Sequence, residues 1–137
     1  MQTHPSSFAV AAVLAWFTLA SAAEAAENAA KPSVSTGFRF TETAGGDLYA
    51  SACQGCHMPT GSGAVGAGSY PALANDERLE AKGYPVTVVV RGQRAMPPIG
   101  ALMSDNQVAA VINYVRTHFG NQYEDAVTAE EVKAVRP

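Results

Sequence analysis

The amino-acid sequence predicts a small all-α domain, and three observations support that prediction. Apolar side chains recur at helical spacing in residues 104–120, the strongest periodic segment of the chain. Only residues 86–90 have the composition of a strand, and no second strand is evident to pair with them. Residues 41–121 contain few large apolar side chains and much Gly, Ala and Pro. A domain with so small a core usually needs a cross-link or a cofactor to fold.

The first 40 residues carry no predicted domain. Residues 8–20 form an apolar run that is short for a membrane span and is followed by small residues. This pattern predicts a secretory signal peptide over residues 1–23 and export to an oxidising compartment. No Lys or Arg precedes the apolar run, so an uncleaved anchor is the alternative. Residues 24–40, rich in Ala and small polar side chains, are predicted to be a flexible linker.

Charge excludes one class of partner. The 137-residue chain has a formal net charge of −3, and 15% of its residues are charged. A nucleic-acid-binding domain needs a basic face, so nucleic acid is not an expected partner. After removal of the signal peptide, no remaining segment predicts a membrane span.

A short helix and a glycine-rich loop are predicted in the first half of the domain. The helix is expected within residues 41–54, starting near Gly45, with Leu48 and Tyr49 on one face. Residues 61–74 contain four glycines and one proline, which predicts a loop. Because glycine has no side chain, such a loop can lie close against a flat surface.

Two short helices are predicted in the middle of the domain. The first is expected to start at a cap on Asn75 and to end at Gly83. Residues 86–90 favour a strand by composition, but Pro85 suits the first position of a helix and Gly92 suits its end. Since a lone strand has no partner, we expect a helix here.

The last part of the chain contains the clearest helix. Ser104 and Gln107 form a capping box at its start, and Gly120 is expected to stop it. Its apolar stripe is expected to be core and consists of Val108, Val111, Ile112, Val115 and Phe119. A second capping box, formed by Thr128 and Glu131, predicts one or two helical turns in the polar tail.

The sequence CQGCH places Cys53, Cys56 and His57 in the pattern of a covalent haem attachment site. Two thiols three residues apart on a helical turn can form thioethers with the two vinyl groups on one haem edge. The following imidazole can then bind the iron. A haem would also supply the large apolar surface that this part of the chain lacks.

Three other uses of the two cysteines fit less well. A dithiol oxidoreductase places its motif after a strand in a βαβ unit, and strands are not predicted here. A structural zinc site needs four ligands, but His118 is the one further cysteine or histidine after the signal peptide. A disulfide between Cys53 and Cys56 would close a very small loop and add little stability.

The opposite side of a haem iron takes a methionine or histidine, or stays open. Met96 is favoured because it lies in a stiff segment after Gly92 and before two prolines. Met103 directly precedes the Ser104 cap, and we expect it to pack as a hydrophobic side chain.

The other candidates for this position are less suitable. Met58 adjoins His57 and cannot comfortably reach the other face, and His118 is expected on the surface. An open position would allow peroxidase-like or gas-binding chemistry.

From about residue 43 to residue 121, the sequence resembles the class I cytochromes c, especially small periplasmic ones and cytochrome subunits of bacterial dehydrogenases. The resemblance is carried, in this order, by GGDLYASACQGCH, GSYPALAN, VVVRGQRAMPP and MSDNQVAAVINYVRTHFGN. It implies the class I cytochrome c fold, in which short helices surround one covalently attached haem c. It assigns residues 41–121 to the cytochrome domain and residues 122–137 to a C-terminal extension.

The resemblance also implies roles for individual residues. The carbonyl of Pro71 is expected to accept a hydrogen bond from His57, which would orient the imidazole. The first and last helices are expected to cross at Gly45, with Tyr49 and Tyr114 at the contact. Candidate partners of the haem propionates are Tyr70, Tyr84, Arg91 and Arg94.

These patterns together predict a periplasmic electron carrier with one haem c, bound by Cys53 and Cys56 and ligated by His57 and Met96. A carrier with both axial positions filled is not expected to be an enzyme. Its expected partners are redox proteins: a dehydrogenase as donor, and an oxidase or another cytochrome as acceptor in the respiratory chain. Three alternatives remain open: a tightly bound dehydrogenase subunit whose membrane association comes through its partner, an open-site haem protein, and a disulfide exchanger.

Overall fold

The computed structural model describes residues 38–66 and 68–137. The predicted signal peptide over residues 1–23, and nearly all of the predicted linker, lie outside the described residues. The described part is mostly helical, as the sequence predicts, and no helix in it has the length and hydropathy of a membrane span.

The first helical segment begins at Gly45, as predicted. It consists of α1 (Gly45–Leu48), a π-helical turn (Tyr49–Cys53) and α2 (Gln54–His57). The segment ends at Met58, whose φ of 67° is in the left-handed region that few non-glycine residues adopt.

The glycine-rich loop contains a small β-hairpin that the sequence did not predict. Strand β1 (Ala64–Val65) pairs antiparallel with β2 (Ser69–Tyr70), with Ala64 opposite Tyr70. Each strand has two residues, so no alternating pattern could develop in the sequence. The fold therefore remains helical, with one minor sheet among the described residues.

The prediction for residues 75–83 was wrong in two details. Asp76, not Asn75, caps the 3₁₀ turn Glu77–Leu79, because its carboxylate accepts the backbone N–H of Arg78. Gly83 does not end a helix but begins α3 (Gly83–Arg91).

Helix α3 confirms that residues 86–90 are helical. It ends at Gly92, where φ is 75°. An added β-carbon there would lie 2.8 Å from the Met96 carbonyl oxygen, so only glycine fits this close approach.

The last two helices have the predicted N-terminal capping boxes. Helix α4 (Asp105–Thr117) starts with the complete Ser104–Gln107 capping box, and α5 (Ala129–Val135) starts with the Thr128–Glu131 box. The predicted end of α4 at Gly120 was wrong, because the helix ends at Thr117, and Phe119, with a left-handed φ of 58°, lies beyond it. A second 3₁₀ turn (Ile99–Leu102) precedes α4.

Helix α4 crosses α1 at Gly45, as expected. A β-carbon on Gly45 would meet the Ala110 carbonyl and would lie 2.7 Å from the Tyr114 β-carbon. The rings of Tyr49 and Tyr114 lie 5.8 Å apart at the same contact. The predicted crossing is therefore confirmed.

The hydrophobic core includes the C-terminal tail. Its buried members are Leu48, Tyr49, Leu79, Val86, Val90, Met103, Val108, Ala109, Val111, Ile112, Val115, Val127 and Val132. The last two come from the tail, and the Asn113 side chain exchanges two hydrogen bonds with the backbone of Val127. Residues 122–137 thus pack as part of the domain.

Candidate functional site

A cleft of about 430 Å³ brings together the four residues that the sequence selected as haem ligands and attachment points. Cys53, Cys56 and His57 line it from the first helical segment, and Met96 lines it from the loop after α3. The wall between them is mainly apolar and includes Pro71, Leu73, Leu79, Pro85, Val88 and Pro97.

The imidazole of His57 is fixed from behind by the glycine-rich loop. The side chain is buried, and its Nδ1 atom donates a hydrogen bond to the Pro71 carbonyl oxygen at 2.9 Å. This bond was expected from the family resemblance and is confirmed. Because Nδ1 carries the proton, Nε2 is the nitrogen with a lone pair for a metal.

The environment of Cys53 does not suit a redox-active thiol. Burial, and to a lesser degree the neighbouring Cys56, raises the pKa of the Cys53 thiol to about 11. A dithiol oxidoreductase needs the opposite, because it reacts through a thiolate whose pKa is lowered. The geometry therefore counts against the disulfide-exchange alternative.

The loop that carries Met96 is held in a defined conformation. The backbone groups of Gln93 and Met96 exchange two hydrogen bonds, both of 2.9 Å. The left-handed turn at Gly92 precedes this pair, and Pro97 and Pro98 follow it. The sequence predicted such a stiff segment, and the structure places its methionine on the cleft.

The competing ligand candidates lie elsewhere in the described structure. Met103 is 3% exposed and belongs to the hydrophobic core, which confirms its predicted packing role. His118 is exposed and stacks on Tyr114, with ring centroids 4.0 Å apart. Neither Met58, Met103 nor His118 lines the cleft.

The rim of the cleft is polar and only partly matches the predicted propionate partners. Tyr70, Tyr84 and Arg94 line the cleft. Arg91 does not, because it points to the tail and donates a hydrogen bond to the Val135 carbonyl at 2.9 Å. The structure therefore supports Tyr70, Tyr84 and Arg94 as candidates for this role, but not Arg91.

Sequence reasoning missed two charged residues at this rim. Arg78 lines the cleft and forms a two-pronged ion pair with Asp76, with distances of 2.8 and 2.9 Å. Their spacing of two residues indicates that they can pair with each other at a turn, but it does not indicate that they lie at the cleft.

The cleft fits a covalently attached haem. It has apolar walls for the macrocycle, two adjacent cysteines for its vinyl groups, and a polar rim for its carboxylates. One imidazole and one thioether form a donor set that iron takes in c-type cytochromes.

Comparisons with known proteins agree with this fit. Residues 41–115 match the family described as "Cytochrome C oxidase, cbb3-type, subunit III". The chain is 30% identical over 105 residues to the cytochrome c subunit of the alcohol dehydrogenase (quinone) of Gluconacetobacter polyoxogenes. It is 30% identical over 109 residues to the fructose dehydrogenase cytochrome subunit of Gluconobacter japonicus. It is 29% identical over 120 residues to cytochrome c-552 of Thermus thermophilus.

These relatives differ in how much of their length is matched. The matches cover 67% and 69% of this chain for the two dehydrogenase subunits, but 22% of each subunit. The match to cytochrome c-552 covers 73% of this chain and 79% of that protein. The chain thus spans about a fifth of the dehydrogenase subunits and most of the small cytochrome.

Proposed function

The chain belongs to the class I cytochrome c family, and from this premise we propose that it is a periplasmic relay carrying one haem c. Membership makes the protein an electron carrier, not an enzyme, with covalently bound haem c as its cofactor. We propose four further points: the number of haems, the iron ligands, the compartment and the direction of electron transfer.

The observation that carries the proposal is that the Cys53–His57 motif and the distant Met96 line one cleft. Cys53 and Cys56 would hold the haem by thioethers, and His57 and Met96 would be its axial ligands. The haem supplies an iron that gains and loses one electron. The described residues offer one Cys-x-x-Cys-His motif, which supports a single haem.

The chain's own residues would set the reduction potential of the iron. The Pro71 carbonyl keeps the proton on Nδ1 of His57, so Nε2 would be the nitrogen that binds the iron, and the hydrogen bond would make it more basic. A methionine opposite a histidine raises the reduction potential. The apolar walls would keep water away from most of the macrocycle.

The names of the relatives support a dehydrogenase as the electron donor. Two of them are cytochrome subunits of an alcohol and a fructose dehydrogenase. We infer that this chain accepts electrons from a dehydrogenase of an organic substrate and passes them to a terminal oxidase or another cytochrome. Reduction of the oxidised protein by such a dehydrogenase, dependent on its substrate, tests the direction.

The test of the site compares Met96 with Met103. Met96→Ala should abolish the methionine–iron charge-transfer band of the oxidised protein, lower its potential and let the reduced protein bind CO rapidly. Met103→Ala is the matched control, since Met103 is a buried methionine away from the cleft. It should keep the band and lose roughly 2–4 kcal/mol of stability, as large-to-small core substitutions do.

Two outcomes would change the assignment. If Met103→Ala erases the band and Met96→Ala keeps it, the ligand is Met103. If wild-type protein lacks the band and binds CO rapidly, the iron has an open position, and the protein acts as a gas-binding or peroxidase-like haem protein.

A further inference from the structure

The second 3₁₀ turn, Ile99–Leu102, connects the Met96 loop to α4 and is held by both ends of the described domain. The last carbonyl groups of a helical turn have no partner within the turn. Here the acceptors are the consecutive carbonyls of residues 100–103, and their external donors come from residues 39, 40 and 136.

Arg136 makes three of the side-chain hydrogen bonds around this turn. Its Nη1 and Nη2 atoms donate to the carbonyl oxygens of Gly100 at 3.0 Å and Met103 at 2.9 Å. Its Nε atom donates to the Asp105 carboxylate at 2.6 Å, at the start of α4. The three guanidinium nitrogens thus reach three different acceptors, which the single ammonium group of a lysine cannot match.

Arg39 approaches the same turn from the other end of the domain. Its Nη1 atom donates to the Ala101 carbonyl at 2.6 Å, and the backbone N–H of Phe40 reaches the Leu102 carbonyl at 3.4 Å. Two cations thus lie at the negative end of one turn, where positive charge is favoured.

The turn also packs tightly against the backbone of α3. Gly100 is buried, and an added β-carbon there would lie 2.9 Å from the Val89 carbonyl oxygen of α3. Two prolines separate Met96 from Ile99, and their rings fix the φ angles. A shift of the turn away from α3 would therefore move Met96 as well.

We propose that Arg136 and Arg39 are positioning residues for the methionine ligand, acting through the turn between them. This inference rests on the proposed ligation by Met96. The two arginines act as a clamp that keeps the Met96 loop against the cleft. Without the clamp, the thioether leaves the iron more often, although the domain stays folded.

The experiment uses the purified haem protein and follows CO binding after reduction, at a temperature well below unfolding. Dissociation of the methionine must precede CO binding, so the rate reports how often the loop opens. Arg136→Gln should raise the rate roughly tenfold, equivalent to about 1.4 kcal/mol. Arg39→Gln should raise it less, the double variant should exceed both, and Arg136→Lys should lie between wild type and Arg136→Gln.

Two controls separate positioning from stability. Lys133→Gln removes the same charge from α5 at an exposed side chain that makes no hydrogen bond or ion pair within the described residues. Val111→Ala weakens the core in α4 away from the cleft. Both should leave the CO rate at the wild-type value, even where the unfolding midpoint falls.

The possible results distinguish this inference from the proposed function. If wild-type protein shows the methionine–iron band and all arginine variants bind CO at its rate, the arginines do not position the ligand and the proposed function stands. If Val111→Ala raises the rate as much as Arg136→Gln, the effect is general instability and the inference is wrong. If wild-type protein lacks the band, both proposals fail. Should Arg136→Gln not fold, Arg39→Gln and Arg136→Lys decide the question.

Discussion

At the scale of single residues, the backbone after His57 is fixed by a tyrosine hydroxyl. Tyr49 is 3% exposed and donates a 2.6 Å hydrogen bond to the Met58 carbonyl. Met58 is the residue with the left-handed φ of 67° that ends the segment. Because the bond joins the π-helical turn to the residue after the histidine, it complements the bond from His57 to Pro71.

Tyr49→Phe should lower stability and change its dependence on alkaline pH. Burial, then the neighbouring Cys53 and Tyr114, raises the pKa of Tyr49 to about 12. The folded pKa lies above the unfolded value of about 10, so the stability gained is complete below about pH 10 and is lost as the pH rises through about 12. Urea unfolding of Tyr49→Phe should give about 1 kcal/mol less stability at neutral pH, for the lost hydrogen bond, and a shallower alkaline decline.

Wild-type protein measured in the same urea series is the reference for the neutral and the alkaline values. An alkaline decline as steep in Tyr49→Phe as in the wild type would contradict the role assigned to Tyr49.

Residue roles were predictable where they depended on near neighbours in the sequence. The packing of Met103 followed from its position before a helix cap, and His118 is exposed, as expected for a histidine near the last long helix. The role of Arg91 was not predictable, because its acceptor is the Val135 carbonyl, more than forty residues away in the chain. The assignment of Met96 as a ligand remains a prediction.

At the scale of elements, the sequence predicted where several helices start, but it did not predict irregularities of the helical backbone. Both capping boxes were found from residue types at fixed spacing, since their hydrogen bonds close within one turn. The π-helical turn at Tyr49–Cys53 leaves no comparable mark, because it changes the hydrogen-bond spacing and not the residues required. The cap at Asp76 was missed because its neighbour Asn75 is an equally good capping residue.

The crossing of α1 and α4 should be sensitive to any side chain at Gly45. An added β-carbon would collide with the Ala110 carbonyl and with Tyr114, and both belong to a helix that cannot yield easily. Gly45→Val should therefore cost on the order of 1–3 kcal/mol, the usual range for overpacking. Urea unfolding of the haem protein measures this change.

Gly83→Ala provides the control for substitution of a helical glycine. Among the described residues, a β-carbon at Gly83 would have no heavy atom within 4 Å beyond its chain neighbours and its own helix backbone. This variant should be unchanged or slightly more stable, since alanine is favoured over glycine in helices. An unchanged midpoint for Gly45→Val would place Gly45 outside the helix contact.

At the scale of the whole molecule, the C-terminal tail and the domain form one hydrogen-bonded structure. Arg116 of α4 is fully buried and donates to the carbonyls of Leu79 and Glu80, and to both the backbone and the carboxylate of Asp125. It therefore joins the tail to a turn that borders the cleft. A buried arginine beside an apolar stripe could not be foreseen, because its acceptors come from two distant parts of the sequence, residues 79–80 and Asp125.

The size of the cleft shows how far the fold depends on what fills it. A closed cavity of about 430 Å³ would cost about 10 kcal/mol at the energy measured for core cavities. That figure is comparable to the total stability of a domain, about 5–15 kcal/mol. The cleft opens to solvent, so water would enter it and leave the apolar walls wet, which is also unfavourable. The shortage of large apolar residues in the sequence therefore corresponds to this cleft, whose apolar walls are not filled by the chain's own side chains.

We expect the chain without haem to fold poorly. Expression without the haem-attachment machinery, or with both Cys53 and Cys56 replaced by Ala, should give a protein with weak helical circular dichroism and a broad urea transition. Lys133→Gln, expressed with haem, controls for the handling of a variant and should unfold cooperatively. The two capping boxes lie outside the cleft and need no haem, so partial helicity in α4 and α5 is compatible with this expectation. A haem-free protein with full helicity and a sharp transition would show that the apolar core alone is enough for folding, and that the haem contributes little to stability.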